Sequence, residues 1–473
     1  MNNQVIVVDL DGTILNTDTL HECVFHLLSN APLELLKIPF YLLKGKAYLK
    51  KRLAEKTDLN LDLLPWNEEL IKILTDKKNE GAHLVLCSGA DMRIANSISL
   101  HLGIFDEVFA SDGKNNLTGK SKADLLIKKF GKKNFDYAGN SNVDISVWKF
   151  CKSALVINGT KKLSRSVERI TDISYEQIKN RFNIKIFLKA IRIHQWLKNL
   201  LLFVPMVAAH LTHDLYNWFL VSIGFVSFSL LASSIYLLND LLDLDNDRSH
   251  QRKKTRPFAS GDISLAYGAA LIPILISISF YLAFSMLNET FIFWLTIYLI
   301  LTIAYSFVLK PIILIDVITL SLLYTIRVIA GGAVISLGTS PWLLAFSIFL
   351  FVSLAFIKRY SELDNNKSDN GSKIMGRAYY SSDTSIIQSL GISSAFCAVL
   401  VFALYINSPE IIVLYDFIEI IWLCIPVLIF WLSWMWICTN RGQMHDDPIM
   451  FAFKDKYSVL AGIAFILIII LGG

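Results

Sequence analysis

From residue 196 to the C-terminus, one apolar run follows another, each close to the roughly 20 residues a helix needs to cross a bilayer. The runs fall at about 196–211, 214–238, 265–287, 290–309, 311–335, 341–357, 386–406, 417–437 and 457–472. No other feature constrains the fold as much. In hydrocarbon every backbone N–H and C=O must find a partner within the protein, so this pattern predicts an all-α polytopic bundle of about nine transmembrane helices. The residues before about 183 mix charged and apolar types as soluble domains do, and the 54 % hydrophobic content of the chain averages two regimes. A length of 473 residues accommodates both.

Basic residues set the expected orientation. The loops after the second, fourth, sixth and eighth runs hold Arg248, Arg252, Lys253, Lys254, Arg256, Lys310, Lys358, Arg359, Lys367, Lys373, Arg377, Arg441, Lys454 and Lys456. The opposite loops, around His213, Asn288, Thr339 and Pro409, hold none, so the basic side is expected to be cytoplasmic. The opening MNNQVIVVDLDG has no basic stretch ahead of its short apolar run, so no signal peptide is expected and the N-terminal domain stays on the cytoplasmic side. The expected location is the inner (plasma) membrane of a bacterium, multi-pass. Residues 176–195 carry Arg181, Lys185, Lys189 and Arg192 among Phe182, Ile184, Ile186, Phe187 and Ile191, the pattern of a basic amphipathic helix on an anionic leaflet. It separates an N-terminal domain (1–175) from the membrane region (196–473). The six cysteines form no CxxC pair and read as reduced filler. Nothing suggests a nucleic-acid partner, and self-association is left open.

Topology accounts for the bases but not for the acids among them. The second run ends in NDLLDLDNDRSHQRKKTRP, residues 239–257. On a continuing helix Asp240, Asp243 and Asp247 share one face, beside Asn239, whereas Asp245 falls off it. An acidic run is usually a solvated loop. At a membrane interface, however, crowded carboxylates repel one another unless a divalent cation offsets their charge. Magnesium keeps coordination sites for phosphate oxygens, so these acids and the bases after them suit a metal–diphosphate substrate. Arg327 lies mid-run, where insertion costs roughly 2.5–3.5 kcal/mol, and intramembrane charge of this kind is functional by default.

The pattern from Asn239 to Asp247, followed by RPFASG, resembles the first aspartate-rich motif of the UbiA-type prenyltransferase superfamily, whose members are nine-helix bundles. RIHQWLKN (192–199), AYSFVLK (304–310) with Asp316 and Arg327, and FIKRYSEL (356–363) resemble one branch, the decaprenyl-phosphate phosphoribosyltransferases, over nearly the whole membrane region. The resemblance implies transfer of 5-phosphoribose from phosphoribosyl diphosphate to a polyprenyl phosphate. It implies Mg2+ on Asn239, Asp240, Asp243 and Asp247, with Lys198, Arg256, Tyr305, Lys310, Arg327, Lys358 and Arg359 around the phosphates. The second DxxxD pair of prenyl-diphosphate users is absent near Tyr305–Asp316, which disfavours a prenyl diphosphate donor.

The N-terminal domain opens with QVIVVDLDGTIL, a β-branched run ending in two aspartates and a glycine turn. That pattern places Asp9 and Asp11 at the C-terminal edge of a strand in an α/β Rossmann-like sheet, where ligands bind. Three further pieces follow in order: HLVLCSG with Ser88, GKSKADLL with Lys122 or its rival Lys120, and DYAGNSNVDISVW with Asn140 and Asp144. The set resembles the haloacid dehalogenase-type phosphohydrolases over about residues 4–160. It implies Asp9 as nucleophile, Asp11 as general acid/base, Thr13 and Ser88 as phosphate contacts and Lys122 as the phosphoryl cation. Mg2+ is implied near Asp9, Asp11, Asn140 and Asp144. The family's usual aspartate is Asn140 here, so a weaker metal site with Asp144 as direct ligand, or a domain that only binds, stays open. Helical patterns between about 18 and 80 read as a cap.

Together the two parts imply consecutive steps: a ribosyl transfer that leaves a 5-phosphate on the lipid product, then its removal by the tethered hydrolase. Two alternatives remain at this stage. One is an aromatic prenyltransferase using a prenyl diphosphate with an accessory phosphatase; the other is a non-catalytic lipid-phosphate carrier.

Overall fold

The computed structural model describes residues 4–179, 183–338, 340–364, 379–408, 415–444 and 447–472; Arg181, Phe182, Thr339, Lys367, Lys373, Arg377 and Pro409 lie outside them. The chain forms two compact units, Met1–Ile191 with Tyr236–Pro273, and Arg192–Ile235 with Ile274–Gly473.

In the first unit a six-stranded parallel sheet has the order β3-β2-β1-β4-β5-β6. Its strands are β1 (Val5–Val8), β2 (His83–Asp91), β3 (Glu107–Ser111), β4 (Asp136–Gly139), β5 (Ser153–Gly159) and β6 (Asp172–Ile178). Strand alternation assigns side chains to opposite faces. Ile6, Val8, Leu84 and Leu86 enter one buried cluster, and Val7, Val85, Cys87 and Tyr137 enter the other. With both faces covered, β1 is a continuous apolar run. β6 was not foreseen. Its DISYEQI alternates by two, and it carries the domain to Ile178, into the stretch expected to be linker, where the described helix is Ile184–Ala190.

Between β1 and β2 lie helices α1 (Thr19–Asn30), α2 (Ile38–Leu43), α3 (Lys46–Ala54) and α4 (Glu68–Asn79). Cys23, Leu27, Leu49 and Leu53 give α1 and α3 a small core of their own. Leu70 and Leu74 of α4 belong to the main core, so the separate helical layer is shorter than the 18–80 expected. α4 is the sheet-covering helix that a parallel β1–β2 crossover requires.

Among the described residues seven helices are long and apolar enough to cross a membrane, beginning with Leu215–Leu242 and ending with Ile418–Asn440. An eighth is reached if Pro448–Lys454 and Lys456–Gly472, bent by 83°, count as one. The nine expected crossings are therefore not all present as straight helices. The stretch at 196–211 folds instead as a 3-10 helix, Ile193–Phe203, and a short α-helix, Val204–Ala208. Pro205 cannot donate to a continuing ladder. The stretch also buries Lys198 and Asn199, which bond to Asp447 and Ser229, and its backbone lies so close to Gly331 that a Cβ there would stand 2.0 Å from the Leu202 carbonyl oxygen. Cys397 is exposed, the other five cysteines are buried, and all are unpaired.

Candidate active sites

β1 stops at Val8, which puts Asp9 at the sheet's C-terminal edge, its N–H on the Ala138 carbonyl at 3.0 Å. Lys122, on the first turn of α6 (Lys120–Phe130), is buried and donates to Asp9 Oδ1 at 2.8 Å and to the Tyr137 hydroxyl at 3.0 Å. Tyr137 donates to Asp144 Oδ1 at 2.8 Å. Lys120 is exposed. The Leu10 N–H also reaches Asp9 Oδ1, at 2.9 Å, so both bonds fall on one oxygen and Oδ2 carries none among the described residues. Burial would lower the pKa of Lys122, but Asp9 and Asp144 hold it above the ordinary lysine value, so it stays charged. Asp11 accepts the Thr19 N–H at 2.8 Å. Burial, and then the charge of Asp18, raise its carboxyl to about 7, where it can both give and take a proton.

Thr13 is fully buried and its hydroxyl has no hydrogen-bond partner among the described residues, a cost that a phosphate oxygen would remove. Ser88 is buried near the end of β2, its Oγ accepting the Ala90 N–H at 3.0 Å. Asp144 accepts hydrogen bonds on both carboxylate oxygens. Its Oδ2 accepts from Asn140 N at 3.2 Å, Ser141 N at 2.9 Å and Ser141 Oγ at 2.8 Å. Asp9 Oδ2, with Asp11 and the Asn140 amide oxygen, would suit a magnesium ion that keeps most of its water.

Gly12 makes the turn possible. Its φ is +72°, and a Cβ there would stand 2.0 Å from Asn140 Nδ2. Gly12→Ala is expected to cost about 1–2 kcal/mol in backbone strain alone and to push Asn140 aside. A lower midpoint in thermal unfolding is the expected result.

The aspartate-rich segment lies in the same compact unit. Its helix ends at Leu242, and Asp243, at φ −98° and ψ 21°, caps a new short helix, Leu244–Ser249. The expected single face of three carboxylates is thus broken at Asp243. Two acids converge instead. Asp240 and Asp247, 3 % and 2 % exposed, share one nitrogen of Arg256: Nη1 is 3.2 Å from Asp240 Oδ1 and 2.6 Å from Asp247 Oδ2. Two buried carboxylates aimed at one cationic point fit a divalent ion. Among the described residues no group of three or more histidine, cysteine or acidic side chains does so. Asp243 and Asn239 are half-buried.

The second unit collects the remaining bases in separate clusters. Lys198 and Lys358 both meet Asp447 Oδ2, at 2.7 and 3.7 Å, and the Tyr324 hydroxyl meets the same oxygen at 3.2 Å. Arg359, fully buried, pairs with Asp316 and Glu362 at 2.5 Å each and donates to the Tyr305 hydroxyl at 3.2 Å. Arg327 donates to Asn199 Oδ1 at 2.8 Å, to the Tyr298 hydroxyl at 3.0 Å and to the Leu323 carbonyl, so its intramembrane charge is met largely by neutral polar groups and aromatic faces. Lys310 is half-buried and follows the π-helix Tyr305–Leu309.

Residues 200–456, which contain the aspartate-rich segment and the clusters of the second unit except Lys198 and Asn199, match the UbiA prenyltransferase family. The chain belongs to that family. Protein y4nM of Sinorhizobium fredii, itself uncharacterized, is 33 % identical over 97 % of this chain and 89 % of its own length. A decaprenyl-phosphate phosphoribosyltransferase of Mycobacterium tuberculosis is 35 % identical over 37 % of this chain and 59 % of that protein. Another from Mycolicibacterium smegmatis is 29 % identical over 59 % of this chain and 89 % of that protein. In this UbiA-family chain a parallel α/β domain precedes the membrane helices.

Tyr137, Tyr298, Tyr324 and Asp447 escaped the sequence reading. Tyr137 follows an aspartate within a strand, and nothing local shows that β4 brings it beside Lys122. Asp447, in HDDP, had a signal: an acid on the basic side of the UbiA region, directly before a helix-starting proline.

Proposed function

We propose that the protein is a bifunctional enzyme of the bacterial inner membrane. Its UbiA-type region transfers 5-phosphoribose from phosphoribosyl diphosphate to a polyprenyl phosphate, and its N-terminal domain removes the 5-phosphate from the product. The observation that carries this reading is the sharing of Arg256 by two buried aspartates, a geometry suited to a metal diphosphate. The relatives named decaprenyl-phosphate phosphoribosyltransferases support the donor and acceptor. The basic side, with the N-terminal domain, faces the cytoplasm, where phosphoribosyl diphosphate is found.

In the transfer the bond from ribose C1 to the diphosphate oxygen breaks, the diphosphate leaves with that electron pair, and an oxygen of the lipid phosphate bonds to C1. Asp240 and Asp247, with Asp243 and Asn239 beside them, would hold magnesium, which supplies charge neutralisation of the leaving group. Arg256 takes part of that charge, and Lys198, Lys310, Lys358 and Arg359 are the bases that the family resemblance implies for the other phosphates. Arg327 and Tyr305 act by fixing Asn199 and Arg359.

In the hydrolysis Asp9 Oδ2 attacks phosphorus, the bond from phosphorus to the ribose oxygen breaks, and Asp11 gives that oxygen its proton. Water then attacks the aspartyl phosphate, Asp11 takes back a proton, and phosphate leaves. Lys122, Thr13 and Ser88 hold the phosphoryl oxygens, while Tyr137 and Asp144 fix Lys122. Magnesium on Asp9 and Asn140 would supply further charge neutralisation.

Purified full-length protein given magnesium, phosphoribosyl diphosphate and a polyprenyl phosphate is expected to release diphosphate. No release, or release only from an isoprenyl diphosphate with an aromatic acceptor, refutes the reading.

A further inference from the structure

The aspartate-rich segment carries another arginine, Arg248, which is buried and has a different partner. Arg248 forms a two-pronged ion pair with Glu22 in the first turn of α1, Nη1 to Oε2 at 2.9 Å and Nη2 to Oε1 at 2.7 Å, with side chains 3 % and 4 % exposed. Its Nε donates to the Ala259 carbonyl at 3.2 Å, within the loop that also carries Arg256. Glu22 Oε1 accepts the Thr17 hydroxyl at 2.7 Å, and the Thr17 carbonyl accepts the Gly12 N–H at 3.1 Å. Gly12 is the turn between Asp11 and Thr13. A continuous chain of bonds therefore runs from the residue next to Asp247 to the turn that shapes the hydrolase site.

A second contact runs parallel to it. At Gly261, the last residue of RPFASG, a Cβ would stand 2.6 Å from the Asn16 carbonyl oxygen. Asn16 Oδ1 is held by Asn158 Nδ2 at 3.1 Å, and the same nitrogen donates to the Gly12 carbonyl at 3.0 Å.

Burying opposite charges carries a desolvation cost that apolar residues would avoid while joining the surfaces at least as firmly. What a bidentate guanidinium–carboxylate pair adds is fixed geometry. Arg248 and Asp247 sit on the same short helix, Leu244–Ser249, so a movement of one is carried to the other.

We propose that the Arg248–Glu22 pair couples the two sites: a magnesium diphosphate held by Asp240, Asp247 and Arg256 tightens, through Arg248, the turn from Asp11 to Thr19. Arg248 and Glu22 are then positioning residues for the hydrolase. The inference rests on the proposed function only in requiring that the loop bind a magnesium diphosphate, whatever that group is attached to.

The test uses full-length protein with magnesium, with and without inorganic diphosphate. Three quantities are followed: binding of labelled diphosphate, hydrogen exchange over residues 10–22, and hydrolysis of p-nitrophenyl phosphate. Diphosphate is expected to slow exchange of the Gly12 and Thr19 amides about fivefold, the lower end of ordinary coupling, and to lower KM for the ester with little change in kcat. Glu22→Gln and Arg248→Met each abolish the response while still binding diphosphate, and Glu22→Arg combined with Arg248→Glu restores it in part, which also guards against a simple folding defect. A response that survives in Glu22→Gln overturns the proposal, as does one that survives in Arg256→Ala, where diphosphate would be acting at the hydrolase site itself. Bound diphosphate without any change in exchange overturns the coupling alone; no binding at all removes the functional reading of the loop and the coupling with it.

Discussion

Asp9→Asn is expected to leave ribosyl transfer running and its product unfinished. Asparagine keeps the shape of the side chain and still offers Lys122 an oxygen, so the fold persists, and the loss stays below the roughly 3 kcal/mol of a broken buried pair. Chemistry should be lost because Oδ2, which carries no hydrogen bond among the described residues, is the proposed nucleophile. Removing a covalent nucleophile ordinarily costs about four to six orders of magnitude in kcat. Mass spectrometry of the lipid products should show the 5-phosphorylated ribose accumulating in the variant and the dephosphorylated sugar in wild type. Equal amounts of the dephosphorylated product from both would show that the N-terminal domain acts on some other phosphoester.

Asp240→Asn is expected to abolish most of the transfer. Asp240 and Asp247 share Arg256 at 3.2 and 2.6 Å, so neutralising one acid halves the charge available to a divalent ion without emptying the space. Burial, eased by Arg256, raises the pKa of Asp247, and repulsion from Asp240 adds to the rise. The substitution relieves that repulsion, so folded stability should change by less than about 1 kcal/mol while activity falls about a thousandfold, the loss expected when charge stabilisation of a leaving group is removed. Diphosphate release measured against magnesium concentration should shift to higher magnesium. Unchanged release at low magnesium would take the metal away from these residues.

How much of this was legible in the chain differs between the two sites. The motifs of the N-terminal domain were readable because each sits at the end of a strand or the start of a helix, where local pattern fixes position. Asp9 and Ser88 end apolar runs, and Lys122 opens a helix behind Gly119. Tyr137 was not readable, since its role depends on β4 lying beside β1, a pairing between residues more than a hundred apart. The choice between Lys120 and Lys122 turned on one exposed and one buried side chain, a difference that spacing does not encode.

In the membrane region, hydropathy located eight of the nine runs on helices, because a lipid-exposed backbone must be helical whatever its neighbours do. The run at 196–211 misled because its apolar residues carry no trace of the close packing against Gly331 that holds it in a tighter helix. The acids of residues 239–257 were evident as a cluster, yet helical periodicity wrongly extended through Asp243, where the chain turns.

The sequence by itself determined that this protein joins a parallel α/β domain to a helical membrane region, and it offered most of the acids and bases proposed to carry its chemistry. Hydrophobic period and local turn residues are properties of short windows, and they suffice for that. Only the tertiary structure decided which acids meet: Asp240 with Asp247 through Arg256, Asp447 with Lys198 and Lys358, and Glu22 with Arg248, 226 residues away. A buried charge must find its counter-charge wherever the folded chain brings one, and sequence distance places no limit on where that is.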